Sequence, residues 1–240
     1  SGFAESVDLE PDYTDLSANV VRDSYRGPML GEGDGYINLS LFDAYNFDTT
    51  GNSILTSIEG GKITDVQLNS PGNYARFHLI SLLEKFRAKE SRVKIENIIL
   101  GCTHYPYLID TMEVVVDELR NLRRGDIYPY RDLLGDEVNF IDPSKYVAIE
   151  TYIALRDASL LKKGGKKGSL KTYISLPDPS ISEDKIDPRG GFTFEFKYGR
   201  EIKGVNETYV VKELSKDFIP AESIERIEKR LPSTYGIMKL

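Results

Sequence analysis

The sequence predicts an α/β fold built on a parallel sheet. Three observations predict it: the apolar run Ile98 to Leu100, a second apolar run ending at Asp142, and helical patterns before, between and after them. Helix, strand, helix, strand, helix is an alternation that right-handed crossovers satisfy with parallel strands. The expected organisation is an α/β domain over residues 71–161, preceded over 1–70 by an irregular, β-containing segment and followed over 162–240 by a linker and an α+β segment.

The first segment is acidic, rich in Gly, Asn and Tyr, and shows no sustained helical period, so it reads as loops with short strands. In "ILTSIEGGKITDVQL" two β-branched runs flank Gly60-Gly61, a pair able to take the positive φ of a tight hairpin turn. "GEGDG" from Gly31 superficially suggests a phosphate-cradling loop. No apolar strand precedes it, however, and Glu32 and Asp34 would repel phosphate, so it reads as a surface loop.

In the middle segment, "NYARFHLISLLEKFRAKE" places Leu79, Leu82, Leu83 and Phe86 on one helical stripe. "KIENIILG" follows as a short strand expected to be buried on both faces. After "CTHYP", residues Ile109, Met112, Val116 and Leu119 recur at helical spacing, with Pro106 suited to the first helical turn. "VNFID" repeats the arrangement: a strand ends at Asp142, an N-cap residue, and Pro143 starts the helix "SKYVAIETYIALRDASLL". In the last segment "KKGGKKGSLK" lacks the spacing of a nucleotide-binding loop and reads as a solvated turn. "KTYISL" and "GFTFEFKYG" read as strands, the latter alternating Phe192, Phe194, Phe196 and Tyr198 with polar residues. "PAESIERIEKRL" is a short amphipathic helix.

Composition limits the partners. Thirty-eight acidic against 31 basic residues give a net charge of -7, which disfavours nucleic acid and anionic membranes. A single cysteine excludes an internal disulfide and, with no apolar leader-like run, suggests a reducing cytoplasm.

That cysteine, Cys102, follows the carboxyl end of the "IIL" strand, where open parallel sheets collect their ligands. A following helix N-terminus offers backbone N–H groups and a positive dipole end, which bind carboxylates and favour thiolates. Thr103 adds a hydroxyl donor, and His104 can orient a neighbour or exchange protons with it. By composition and placement alone, a lone cysteine is more often a buried packing residue, since free cysteine is among the most buried residue types.

"ILGCTHYP", Ile99 to Pro106, resembles the signature around the second catalytic cysteine of glutamate racemases, in the aspartate/glutamate racemase superfamily. "LISLLEKF" is similar to the helix before that strand, and "VNFIDPS" to the strand and turn after it, so the resemblance runs from about Asn73 to Leu155. It implies a three-layer α/β domain and racemisation without cofactor or metal. In that chemistry one thiolate removes the α-proton of a small acidic amino acid and a second thiol reprotonates the opposite face. On this resemblance Cys102 is one acid/base thiol, His104 assists it, and Thr103 helps to hold substrate; the family also implies a possible homodimer.

One departure qualifies the resemblance. Family members carry their first cysteine in an amino-terminal α/β domain, and this chain has no other cysteine. The expectation is that this racemase domain lies outside the present sequence, and that the segment from about Leu170 packs on it; the rival expectation is a one-thiol protein. Three functions remain open: an amino-acid racemase, most readily of glutamate; another superfamily enzyme, such as a hydantoin racemase, decarboxylase or maleate isomerase; or a non-catalytic carboxylate-binding module. A second cysteine in the parent reading frame would separate the first from the last.

Overall fold

The computed structural model describes residues 2–8, 25, 27–89, 93–162, 164, 170–188, 190–193, 196–197 and 208–238. The chain divides into two compact units, Ser1–Leu160 and Leu161–Leu240. It is mixed α/β, with one parallel strand pair and two antiparallel ones among the described residues.

The first unit opens with α1 (Gly2–Asp8) and α2 (Phe42–Tyr45), two helices too short to leave a readable period in sequence. β1 (Ile54–Glu59) and β2 (Lys62–Leu68) then form the expected hairpin. Its turn closes where Glu59 faces Lys62, with Gly60 and Gly61 at φ of 57° and 77°, the mirror-image geometry that matches strand twist.

α3 (Pro71–Arg87) is capped by Ser70, whose side chain accepts from the Asn73 N–H at 3.2 Å. Its inward arc is wider than the expected stripe and rotated from it. Tyr74, Phe77, Ile80 and Leu83 are buried, whereas Leu82 is 39% exposed. The cause is that α1, α2 and α4 (Ile109–Asn121) all pack against α3, so no single 100°-spaced line defines its inside. Asn73, fully buried, fastens the helix start to the preceding loop. Its Oδ1 accepts from the Asp48 N–H at 2.8 Å and its Nδ2 donates to Asp48 and Ser53 carbonyls at 2.9 and 3.1 Å. An unsatisfied amide at this depth would cost about 1–3 kcal/mol, so satisfying all three bonds fixes this corner.

β3 (Ile95–Ile99) pairs in parallel with β4 (Leu134–Ile141), and α4 is the crossover helix between them. Met112, Val115, Val116 and Leu119 form its buried face, close to the spacing read from sequence. The expectation that β3 is covered on both faces fails: Ile99 is 70% exposed. The parallel sheet has two strands among the described residues, and α5 (Pro143–Asp157) buries none of its residues, so one face lacks a cover. Along α5, Tyr146, Val147, Ile149 and Tyr152 are all exposed.

In the second unit β5 (Tyr173–Pro177) pairs antiparallel with β6 (Tyr209–Glu213), and α6 (Ala221–Arg230) and α7 (Pro232–Tyr235) follow. Every buried hydrophobic side chain among the described residues belongs to the first unit. The aromatic strand expected in "GFTFEFKYG" is not formed where it is described. Phe192 makes an isolated bridge with Ile186, while Phe196 and Lys197 are helical, the Lys197 N–H donating to the Thr193 carbonyl at 2.9 Å. Phe194 and Tyr198 lie outside the described residues, as does most of "KKGGKKGSLK".

Candidate functional site

Leu100, buried, anchors the end of β3, its N–H donating to the Ile141 carbonyl at 3.0 Å and extending the parallel ladder by one residue. Since Ile99 pairs with Ile141, Cys102 and Asp142 both leave the sheet at the same carboxyl edge. The sequence therefore puts the thiol where parallel sheets place ligands.

Beyond Cys102 the backbone does not enter an α-helix at once. Tyr105–Leu108 forms a 3-10 turn, with Pro106 among its first residues, and α4 begins only at Ile109. The Tyr105 N–H donates to the Cys102 carbonyl at 3.2 Å and the Tyr107 N–H to the His104 carbonyl at 3.3 Å. This corrects the expected source of anion-binding N–H groups. The Tyr105 and Tyr107 N–H groups are spent closing the turn, and the α-helical dipole starts about two turns away.

Cys102 is partly exposed, as is His104, and Thr103 is exposed. Cys102 Sγ lies 3.5 Å from His104 Nδ1, close enough for a thiol to donate to the imidazole or for the imidazolium to donate to a thiolate. Cys102 also packs against the hydrophobic core, so it has both an apolar and a polar neighbourhood.

An aromatic layer lies against the turn. Phe3 of α1 stacks on Tyr105 at 4.5 Å between centroids, and His78 of α3 meets Tyr105 edge-on at 5.8 Å and Phe3 at 5.7 Å. Phe3 also faces the His104 ring at 6.4 Å. Burial pushes the Tyr105 hydroxyl above its usual range, with the nearby Cys102 sulfur adding to the effect. Burial among these rings pushes the His78 imidazole below its usual value, so it is neutral at pH 7. Sequence reasoning missed Phe3 and Tyr105 as walls of the site, because their contact joins α1 to a turn far along the chain.

Asp142 serves as the N-cap of α5. Its Oδ1 accepts from the Ser144 N–H at 2.9 Å and its Oδ2 from the Ser144 hydroxyl at 2.8 Å, which occupies both oxygens. A cavity of about 390 Å³ is lined in part by Asp48, Asn73, Arg76, Thr111 and Leu108, the last residue of the 3-10 turn, but not by Cys102, Thr103 or His104. There Arg76 pairs bidentately with Glu118, holding that carboxyl below the usual range. No group of three or more metal-ligating side chains occurs among the described residues. Nor is any described helix long and apolar enough to cross a membrane.

Comparison with curated proteins gives 30% identity over 88 residues to a glutamate racemase of Carboxydothermus hydrogenoformans, covering 37% of this chain and 25% of the relative. A glutamate racemase of Clostridium perfringens is 31% identical over 90 residues, 38% of this chain and 28% of the relative. One from Shewanella woodyi is 29% identical over 89 residues, 37% and 27% of the two chains. The chain thus spans about a quarter of the length of these relatives. No protein-family profile matches the sequence, and no solved structure matches it.

Proposed function

From a chain related to the glutamate racemases over roughly 90 residues, we infer a cofactor-independent amino-acid racemase, acting on glutamate, of which this chain supplies one acid/base thiol. The observation that carries the reading is the 3.5 Å contact between Cys102 Sγ and His104 Nδ1 at the carboxyl edge of the parallel pair.

His104 takes the thiol proton, and the Cys102 thiolate removes the substrate α-proton. In the reverse sense the Cys102 thiol reprotonates the carbanion from its own face and His104 resupplies the proton. The exposed Thr103 hydroxyl donates to the substrate carboxylate. Phe3 and Tyr105 exclude water from one side of the turn, which strengthens the electrostatic stabilisation of the carbanion. Inversion needs a donor on the opposite face, and in this reading that donor comes from a partner racemase domain. The open face of β3 and α5, bearing exposed Ile99, Val147 and Tyr152, is consistent with such a cover.

Occupancy is tested by alkylation of Cys102 with iodoacetamide. L- or D-glutamate is expected to slow labelling in a saturable way, while glutarate, which lacks the α-amino group, protects less. Equal labelling rates with and without glutamate would exclude an amino-acid site at this thiol.

A further inference from the structure

α1 carries a side chain that reaches the cysteine turn. A helix of seven residues is too short to hold its shape alone in water, so its place is set by what it packs against. It packs on α3, and its Phe3 is only 5% exposed.

The seat of α1 fits closely. Buried Tyr74 stands so near Gly2 that a β-carbon there would meet the tyrosine hydroxyl oxygen at 2.1 Å. The buried Ser6 hydroxyl donates to the Phe3 carbonyl at 2.8 Å, which holds Phe3 within its helical turn.

From that seat one ring joins two elements. Phe3 lies 6.0 Å from Tyr74 and 5.7 Å from His78, both on α3. It also stacks on Tyr105 at 4.5 Å, with the ring planes 28° apart, and meets His104 at 6.4 Å, with the planes 73° apart. The Tyr105 N–H closes the turn on the Cys102 carbonyl, and His104 Nδ1 faces the Cys102 sulfur. Phe3 therefore packs on both residues that bear directly on the thiol.

His104 is the N-cap of the 3-10 turn, but its side chain does not cap that turn, and it is only half-buried. A partly exposed imidazole has several rotamers within reach, and holding the one that puts Nδ1 3.5 Å from the sulfur loses rotamer freedom. A buried ring packed beside it removes competing rotamers before the chemistry begins.

We propose, on the reading of Cys102 and His104 as a proton-exchanging pair, that Phe3 is a positioning residue for that pair, α1 acting as a clamp that keeps the imidazole against the thiol. A mere shield would slow access to the sulfur whatever stands at position 104. A clamp acts through His104, so its effect vanishes once the imidazole is gone.

The test is a double-mutant cycle on the rate at which iodoacetamide alkylates Cys102 in the full chain at pH 7. His104→Gln should slow labelling. Phe3→Leu keeps apolar bulk but loses the flat ring; it should slow labelling by about threefold or more, as expected of residues sharing one packed cluster, and change nothing further in the His104→Gln background. Phe3→Tyr, which keeps the ring, should label like the unaltered chain. Gly2→Ala alters none of the rings but crowds Tyr74, and should act as Phe3→Leu does. If His104→Gln labels as fast as the unaltered chain, the pair reading itself fails. Where that reading holds, unchanged or faster labelling in either Phe3→Leu or Gly2→Ala, or the same change with and without His104, overturns the clamp.

Discussion

Cys102 Sγ stands 3.5 Å from His104 Nδ1, on a turn whose backbone is closed by the Tyr105 and Tyr107 N–H groups. A sulfur and an imidazole at this separation, on residues two apart in sequence, are close enough to exchange a proton directly. If the pair works as a unit, His104→Ala should slow proton transfer at the substrate α-carbon by about 10²-fold or more, the usual contribution of a general acid–base group. His104→Gln keeps hydrogen-bonding capacity but cannot titrate, and should be as slow as His104→Ala. Recovery of the rate by Gln would reduce His104 to a positioning residue.

The corner behind the site rests on buried polar bonds. Asn73→Ala removes three bonds at a fully buried position and should lower the urea midpoint by the equivalent of about 2–4 kcal/mol. Tyr130, also fully buried, donates to Glu84 Oε1 at 2.7 Å, which together with burial drives its own ionisation far up. Tyr130→Phe should cost less, about 1–2 kcal/mol, because partly buried Glu84 can turn to water. An Asn73 variant of unchanged stability would contradict the described network.

The pH dependence follows from His78. Its folded-state pKa is depressed by burial, so the unfolded chain binds more protons at mildly acidic pH. The stabilisation is fully present above the unfolded value of about 6.5 and is lost as pH falls through the folded one, by up to about 1.4 kcal/mol per pH unit in that window. Glu118 and Asp48, depressed by Arg76 and by Thr50 respectively, add a separate loss below the ordinary carboxylate range. Thermal midpoints from pH 7 to pH 5 should fall in the native chain and fall less in His78→Phe.

What was legible in the sequence was local. Gly60-Gly61 between two β-branched runs specifies its own turn, and Asp142-Pro143 specifies its own helix start. Two apolar runs separated by one helix specify a parallel pair. The Phe3–Tyr105 stack was not legible, because nothing near either residue encodes the other. The 3-10 turn was missed because Pro106 fits the first turn of either helix type. The placing of Leu82 inside failed because several elements share the burial of α3, and the two-faced burial of β3 failed because α5 does not cover Ile99.

The open face makes its own prediction. Since α5 buries none of its residues, Val147→Ser and Tyr152→Ser should each change the stability of this chain by less than about 0.5 kcal/mol. Leu83→Ala, in the packed core, should cost about 2–5 kcal/mol. Urea titrations of the three variants decide this; a loss at Val147 comparable to that at Leu83 would mean that α5 is covered within the chain.

The claim that Cys102 exchanges the substrate α-proton is tested most directly by incubating L- and D-glutamate with this chain in heavy water, following α-deuteration and optical rotation together, with Cys102→Ser as the control. One thiol acting on one face predicts α-deuterium incorporation with retained configuration, abolished in Cys102→Ser, and racemisation only once a partner domain supplies the opposite donor. Deuteration that persists in Cys102→Ser, or no deuteration of either enantiomer even with that domain present, would contradict it.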